Sequence, residues 1–309
     1  MQPEAVHTRD VSRLVLGTAQ FGAAYGVVNQ EGKPTRRRVK DIVKAAWQAG
    51  MRTFDTAQGY GDSESVLGLA LAQIGIAGKV RIITKLDPGL DCRDVDAVQA
   101  AVVCSLEKLK IKRLYGVLLH REAWLDQWQA GVGASLELLK QSGLTEYVGV
   151  SVYSPDKALR AVQTAGIDLV QLPSSILDRR FEKAGVFRAA AAHGTQLFVR
   201  SVFLQGLLLI DPEATPPEMA FCRSALAQLA HFRRKTGLSA HELALAYVRD
   251  AYPEAAVVFG VETAEQLRHN VISWSAKDGD GLVRSVQTQL AAIAADVVDP
   301  RQWPPLTGQ

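Results

Sequence analysis

A chain of 309 residues that is 48% apolar and 22% charged has the makeup of an ordinary soluble globular protein, with room for one large α/β unit or two small domains. Its 35 basic and 32 acidic residues leave a net charge of only +3, with no basic stripe interleaved with aromatics, which excludes a nucleic-acid footprint. Cys92, Cys104 and Cys222 lack CxxC spacing, which excludes a disulfide framework and a zinc site. The polar start MQPEAVHTRD has no signal core, and the longest apolar run, Val202–Ile210, is too short to cross a bilayer, so the reading is a cytoplasmic protein with no membrane partner.

In chain order, short β-branched runs alternate with longer amphipathic stretches. The runs predict strands at Leu14–Leu16, Thr53–Asp55, Val80–Thr84, Gly116–Leu119, Tyr147–Val150, Asp168–Gln171, Gln196–Val199 and Ala256–Phe259. Helical periodicity falls between them at 36–49, 63–74, 93–109, 133–142, 155–164, 183–193, 218–235 with 239–249, and 263–275. Ser154 before Pro155 reads as a helix start, Thr263 with Gln266 as a capping box, and Gly50, Gly143, Gly166 and Gly194 as helix stops. Parallel strands need long crossovers, and eight rounds of strand and helix close naturally into a barrel. A doubly wound open sheet would want GxGxxG after its first strand, and Gly17-Thr18-Ala19-Gln20-Phe21-Gly22 is not that. The expectation is a single (β/α)8 TIM barrel over 1–309, with variable loops and a proline-rich tail, DPRQWPPLTGQ, that forms no helix.

Chemistry in such barrels sits at the C-terminal ends of the strands. Asp55 closes the second predicted strand, with Tyr60 in the loop beyond, and Lys85 and His120 close the third and fourth. A lysine ending an apolar strand is costly unless paired. Phenol, lysine, carboxylate and imidazole together make a proton-donating site: the ammonium lowers the phenol pKa, the aspartate holds the lysine charged, and a neutral histidine orients a carbonyl. No residue here is a good nucleophile and no carboxylate cluster points to a metal, so the site suits a reaction in which an oxygen is protonated while something else reaches the carbon.

FDTAQGYGDSE, ITK, LLH, GVS, VQLP, the LQGLL run and FGVETAEQLRHN, in this order and spacing from LVLGTAQFG at residue 14 to Asn270, resemble the aldo-keto reductase family, bacterial members in particular. The resemblance implies an NAD(P)H-dependent oxidoreductase that transfers hydride between a nicotinamide and an aldehyde or ketone. Tyr60 would be the general acid, Asp55 and Lys85 would tune it, and His120 would orient the substrate. It further implies cofactor contacts from Gly17, Thr18, Asp55, Ser151, Gln171, Arg200, Ser201, Phe203, Leu204, Gln205 and Gly206, with Gly260, Val261, Glu262, Gln266 and Asn270 on the adenosine half.

The chain departs from the family pattern in places. Val152 stands where asparagine is usual, Ser174-Ser175 replaces a tyrosine-asparagine pair, and Arg200 replaces the aromatic that stacks on the nicotinamide, a role a planar guanidinium can also fill. Gly260 stands where a basic residue would meet a 2′-phosphate, and Glu262 nearby would repel one. NADP(H) is preferred on the family pattern, and NAD(H) stays open. Phe21, Tyr25, Tyr60, His120 and Trp124, with Phe203 and Trp303, would line an aromatic substrate pocket for a small carbonyl or alcohol. HELALAY at 241–247 is not HExxH, and His7, His193, His231 and His269 read as solvated. The expected assembly is a monomer or small homo-oligomer. Two other readings remain: a cofactor-holding regulatory subunit with slow turnover, and a lyase or isomerase barrel using Lys85 as a Schiff base.

Overall fold

The computed structural model describes residues 10–27, 29, 32–275, 281–290 and 293–304; His7 and the last five tail residues lie outside these. Eight parallel strands close into a barrel in sequence order: β1 Leu14–Gly17, β2 Thr53–Asp55, β3 Arg81–Lys85, β4 Leu114–Leu119, β5 Thr145–Ser151, β6 Leu169–Pro173, β7 Gln196–Arg200 and β8 Ala256–Gly260. The register closes with Leu14 opposite Val257 and Gly17 opposite Gly260. Helices cover the outside at Arg36–Gln48, Ser63–Gln73, Val95–Leu109, Val132–Gln141, Pro155–Gln163, Val186–His193, Arg223–Thr236, Ala240–Ala251 and Ala264–Ser275.

Strand alternation divides the core in two. Outward residues such as Leu16, Phe54, Val117, Val150 and Val199 pack into the large core beneath the helices. Inward residues Val15, Ile83, Leu118, Leu169, Phe198 and Val258 form a separate buried plug inside the barrel. Gly149 is part of that fit, because a Cβ there would stand 1.8 Å from the Leu169 carbonyl oxygen. Two residues further along the same strands, the same inward alternation brings Gly17, Lys85, His120, Gln171, Arg200 and Gly260 to the layer above the plug.

Helix starts follow side-chain chemistry, with some departures from the sequence reading. Asp94 accepts from the Ala97 N–H, so that helix begins at Val95 rather than 93, and Ser239 with Glu242 forms a full capping box. Ser154 makes no side-chain cap; its backbone N–H instead donates to Glu122 Oε2 at 3.2 Å. Thr263 Oγ1 does accept from the Gln266 N–H, but the Gln266 side chain bonds the Glu262 N–H rather than that of Thr263, so the expected box is only half formed. The four glycine stops all hold positive φ, from 70° to 95°.

The tail is more ordered than its prolines suggest. Helices form at Leu282–Gln289 and Ala295–Val298, and one 3-10 turn at Pro300–Gln302 falls inside the stretch expected to have no helix. Pro300 sits at the first position of that turn, where its missing N–H costs nothing. Leu282 and Val286, four apart and buried, are the sequence signal for the first of these helices. The buried Arg179 donates to the Val286 and Leu290 carbonyls at 3.2 and 2.8 Å and ties that helix end to the barrel.

Candidate active site

Lys85 is 1% exposed, and its ammonium gives its three hydrogens to Asp55 Oδ1 at 2.9 Å, Asp55 Oδ2 at 2.7 Å and the Thr56 carbonyl at 3.0 Å. Gln171 fixes the same carboxylate from across the barrel, Nε2 to Oδ1 at 2.8 Å. Burial pulls the Lys85 pKa down and Asp55 opposes that shift. A lysine so enclosed is an electrostatic fixture rather than a free amine nucleophile, which leaves the Schiff-base reading without geometry.

Tyr60 sits above this pair, with Lys85 Nζ 5.1 Å from its ring centroid and His120 edge-on at 5.6 Å. Gly22 holds its loop down, since a Cβ there would stand 1.6 Å from the Tyr60 carbonyl oxygen. The expectation that the lysine lowers the phenol pKa needs correcting for this state: burial first, and then the Asp55 charge, push Tyr60 above its ordinary value, and Arg200 is the cation that pulls the other way. With all three Lys85 hydrogens turned to Asp55 and Thr56, its charge is spent locally. His120 is driven down to about 4, by burial and then by Lys85, so it is neutral at pH 7, and its buried Nδ1 has no partner.

These groups open into a cavity of about 220 Å³. Gly17, Thr18, Asp55, Tyr60, His120, Ser151, Arg200, Ser201, Phe203, Gln205, Gly206, Gly260, Val261, Glu262, Gln266, Asn270 and Tyr25 line it. Gln171 and Lys85 lie just beneath the lining. Leu204 faces the core instead, 1% exposed, on a turn in which Ser201, Leu204 and Gln205 all hold φ between 48° and 62°. Three non-glycine residues in that region make this turn the concentrated backbone strain among the described residues, and it borders the cavity.

Three expected pocket residues are elsewhere. Phe21 is fully buried in the outer core, because the helical turn Ala19–Gly22 points it inward. Trp124, on the 3-10 stretch Glu122–Ala130, packs against the core under Arg93, 6.0 Å from its ring. Trp303 turns its indole N–H to the Asp296 and Val297 carbonyls of its own tail. His193, His231 and His269 are exposed as expected.

The cavity also uses residues the sequence reading passed over. Tyr153 and Gln20 each follow a strand end by two or three residues, so a scan of those short loops would have found both. Gln20 fills the space beside Gly260, where a Cβ would meet its Oε1 at 2.2 Å. His241 reaches the lining from the remote helix Ala240–Ala251, packed between Phe203 and His269, and burial lowers its pKa to about 4. No local pattern signals that contact.

The model of the aldo/keto reductase family matches residues 13–279. Aldo-keto reductase str7 of Strobilurus tenacellus is 27% identical, over 90% of this chain and 85% of its own length. L-galactose dehydrogenase of Arabidopsis thaliana is 24% identical, over 95% and 93%. Among solved structures, the holo form of the aldo-keto reductase AKR11C1 from Bacillus halodurans superposes with a TM-score of 0.74 at 22% identity, covering 93% of this chain and 95% of that one.

Proposed function

The chain belongs to the aldo/keto reductase family and is an oxidoreductase, and from that premise we propose that it interconverts a carbonyl and an alcohol with a nicotinamide cofactor, Tyr60 acting as the general acid. The observation that carries this reading is the buried Asp55–Lys85 pair beneath a protonated Tyr60, with a neutral His120 at its edge. The reduced cofactor, when bound, supplies hydride to the carbonyl carbon. Tyr60 gives its proton to the carbonyl oxygen as negative charge develops there, and its raised pKa keeps that proton in place at neutral pH before each turnover. His120, uncharged, orients the carbonyl without competing as an acid. In the reverse direction Tyr60 accepts the alcohol proton, and Arg200 is the cation whose charge eases the phenolate.

The chain's own residues fit such a cofactor. Gln171 Oε1 and Asn270 Oδ1 are buried acceptors without partners, and amide or amine N–H groups would relieve both. Ser151 and Gln171 would hold the carboxamide, with Gly17, Thr18 and Asp55 beside it and Arg200 over the ring. Ser201, Phe203, Gln205 and Gly206 would follow the pyrophosphate, with Leu204 supporting them from behind. Gly260, Val261, Glu262, Gln266 and Asn270 would take the adenosine half; the Gln266 carbonyl is committed to the Glu262 N–H, which leaves its Nε2 for the ligand.

NADP(H) is the proposed cofactor. NAD(H) is a second reading, favoured by Gly260 with Gln20 filling the space of a basic side chain and by Glu262 close by. Fluorescence titration with NADPH and NADH, in wild type and Glu262→Lys, tests both. Tight NADPH binding by wild type supports the first reading, and an NADH preference that the lysine reverses supports the second. Binding of neither nucleotide overturns the proposal.

A further inference from the structure

A second cavity, of about 230 Å³, lies between the end of β7 and the tail. It shares Tyr25, Tyr153, Arg200, Ser201 and Gln205 with the first, so the two adjoin along these side chains. Its walls carry three guanidinium groups. Arg180 is committed to Asp178 through two bonds of 2.8 Å, and Arg301 to Asp299 at 2.9 and 2.6 Å, with Glu122 at 3.8 Å. Arg200 is different. It reaches only neutral acceptors, the Ser201 hydroxyl and the Val152 carbonyl, each at 3.3 Å, and makes no ion pair with any carboxylate among the described residues.

Tyr153 explains how that charge is held. Two guanidinium groups pack on its ring, Arg200 at 4.3 Å and Arg301 at 4.1 Å from the centroid. With one hydrogen of Nη1 and one of Nη2 committed to the neutral Ser201 and Val152 acceptors, three of the five guanidinium N–H donors of Arg200 are left, and they suit a two-oxygen anion. The same charge reaches the reaction centre, where it opposes the burial-driven rise at Tyr60 and adds to burial and Lys85 in holding His120 low.

We propose that Arg200 is a specificity-determining residue that binds an oxyanion on the carbonyl substrate, so that the enzyme prefers aldehydes or ketones carrying a carboxylate or phosphate at the end remote from the reacting carbon. The anion occupies the second cavity beside Arg200 and Tyr153, and the carbonyl lies in the first at Tyr60 and His120. This inference rests on the oxidoreductase reading above and names its substrate class. It is compatible with Arg200 covering the nicotinamide, since a planar guanidinium can stack while its N–H groups bond an anion in its plane.

The test compares kcat/KM for two matched pairs, 4-carboxybenzaldehyde against benzaldehyde and glyceraldehyde 3-phosphate against glyceraldehyde, in wild type, Arg200→Gln and Arg301→Gln. Wild type is expected to favour the charged member of at least one pair, and the pair that responds distinguishes carboxylate from phosphate. In Arg200→Gln that preference falls by about 10- to 100-fold, mainly through KM, as loss of a charge-assisted hydrogen bond predicts. Arg301→Gln, which removes the second cation on Tyr153, lowers it less. Equal kcat/KM for charged and neutral members in wild type, or a preference unchanged in Arg200→Gln, overturns the inference. Nucleotide affinity is measured on the same variants; a loss shared equally by both members and traced to weaker nucleotide binding assigns Arg200 to the cofactor alone and also overturns it. Should no carbonyl be turned over, the functional reading fails, and calorimetry with 4-(hydroxymethyl)benzoate against benzyl alcohol decides the anion site separately. Binding of the charged alcohol that Arg200→Gln abolishes sustains the site, and no binding removes it.

Discussion

At the floor of the pocket Lys85 gives every hydrogen to Asp55 and Thr56, and Gln171 braces the same carboxylate from across the barrel. At the rim two arginines pack on the Tyr153 ring, and the Trp303 indole N–H donates to two carbonyls of its own tail. Floor residues sit on strands, where register leaves each side chain one direction. Rim residues come from loops and a tail far apart in the chain, and their positions depend on what packs beside them. The contrast teaches where this protein keeps its fixed charges and where it leaves surface for a ligand to complete.

The sharpest way to break the contrast is to remove one floor partner. Lys85→Met leaves Asp55 buried with only a neutral partner, and a loss of about 3–5 kcal/mol in unfolding free energy is expected by denaturant titration. A variant as stable as wild type would mean that the floor pair is no more integral than the rim. A subtler change acts on the loop between the two regions. Gly22→Ala sets a methyl against the Tyr60 carbonyl oxygen, displacing the phenol from the lysine below it. Turnover should fall about 100-fold, the cost of a misplacement of about 1 Å, in steady-state assays. Undiminished turnover would show that Tyr60 need not be held so closely.

The smallest effect belongs to the rim itself. Trp303→Phe removes an indole N–H that donates at 3.0 and 3.2 Å and keeps most of the ring. It should cost about 0.5–1.5 kcal/mol in the same unfolding measurement. A loss as large as that of Lys85→Met would place the tail among the integral elements and dissolve the distinction.

The strands, and the polar residues that close them, were legible from local pattern alone. Lys85 and His120 stand out because an apolar run ends abruptly in a polar residue, and period-two alternation then fixes which side they face. Eight strand–helix rounds and the glycine stops made the closed barrel legible for the same reason, since each signal lies within a few residues of the feature it predicts. Phe21 and Trp124 are aromatic residues near strand ends, and nothing local says whether such a ring turns to the cavity or to the core; the packing around them sent both away from it. The Tyr60 pKa was likewise a tertiary matter, because its direction depends on how deeply the ring is buried and on how near the Asp55 and Arg200 charges come. His241, and the pairing of Arg200 and Arg301 on Tyr153, join residues of remote segments. Only closing the barrel and folding the tail across it bring them together, because side-chain contacts between distant segments follow packing, which no local period encodes.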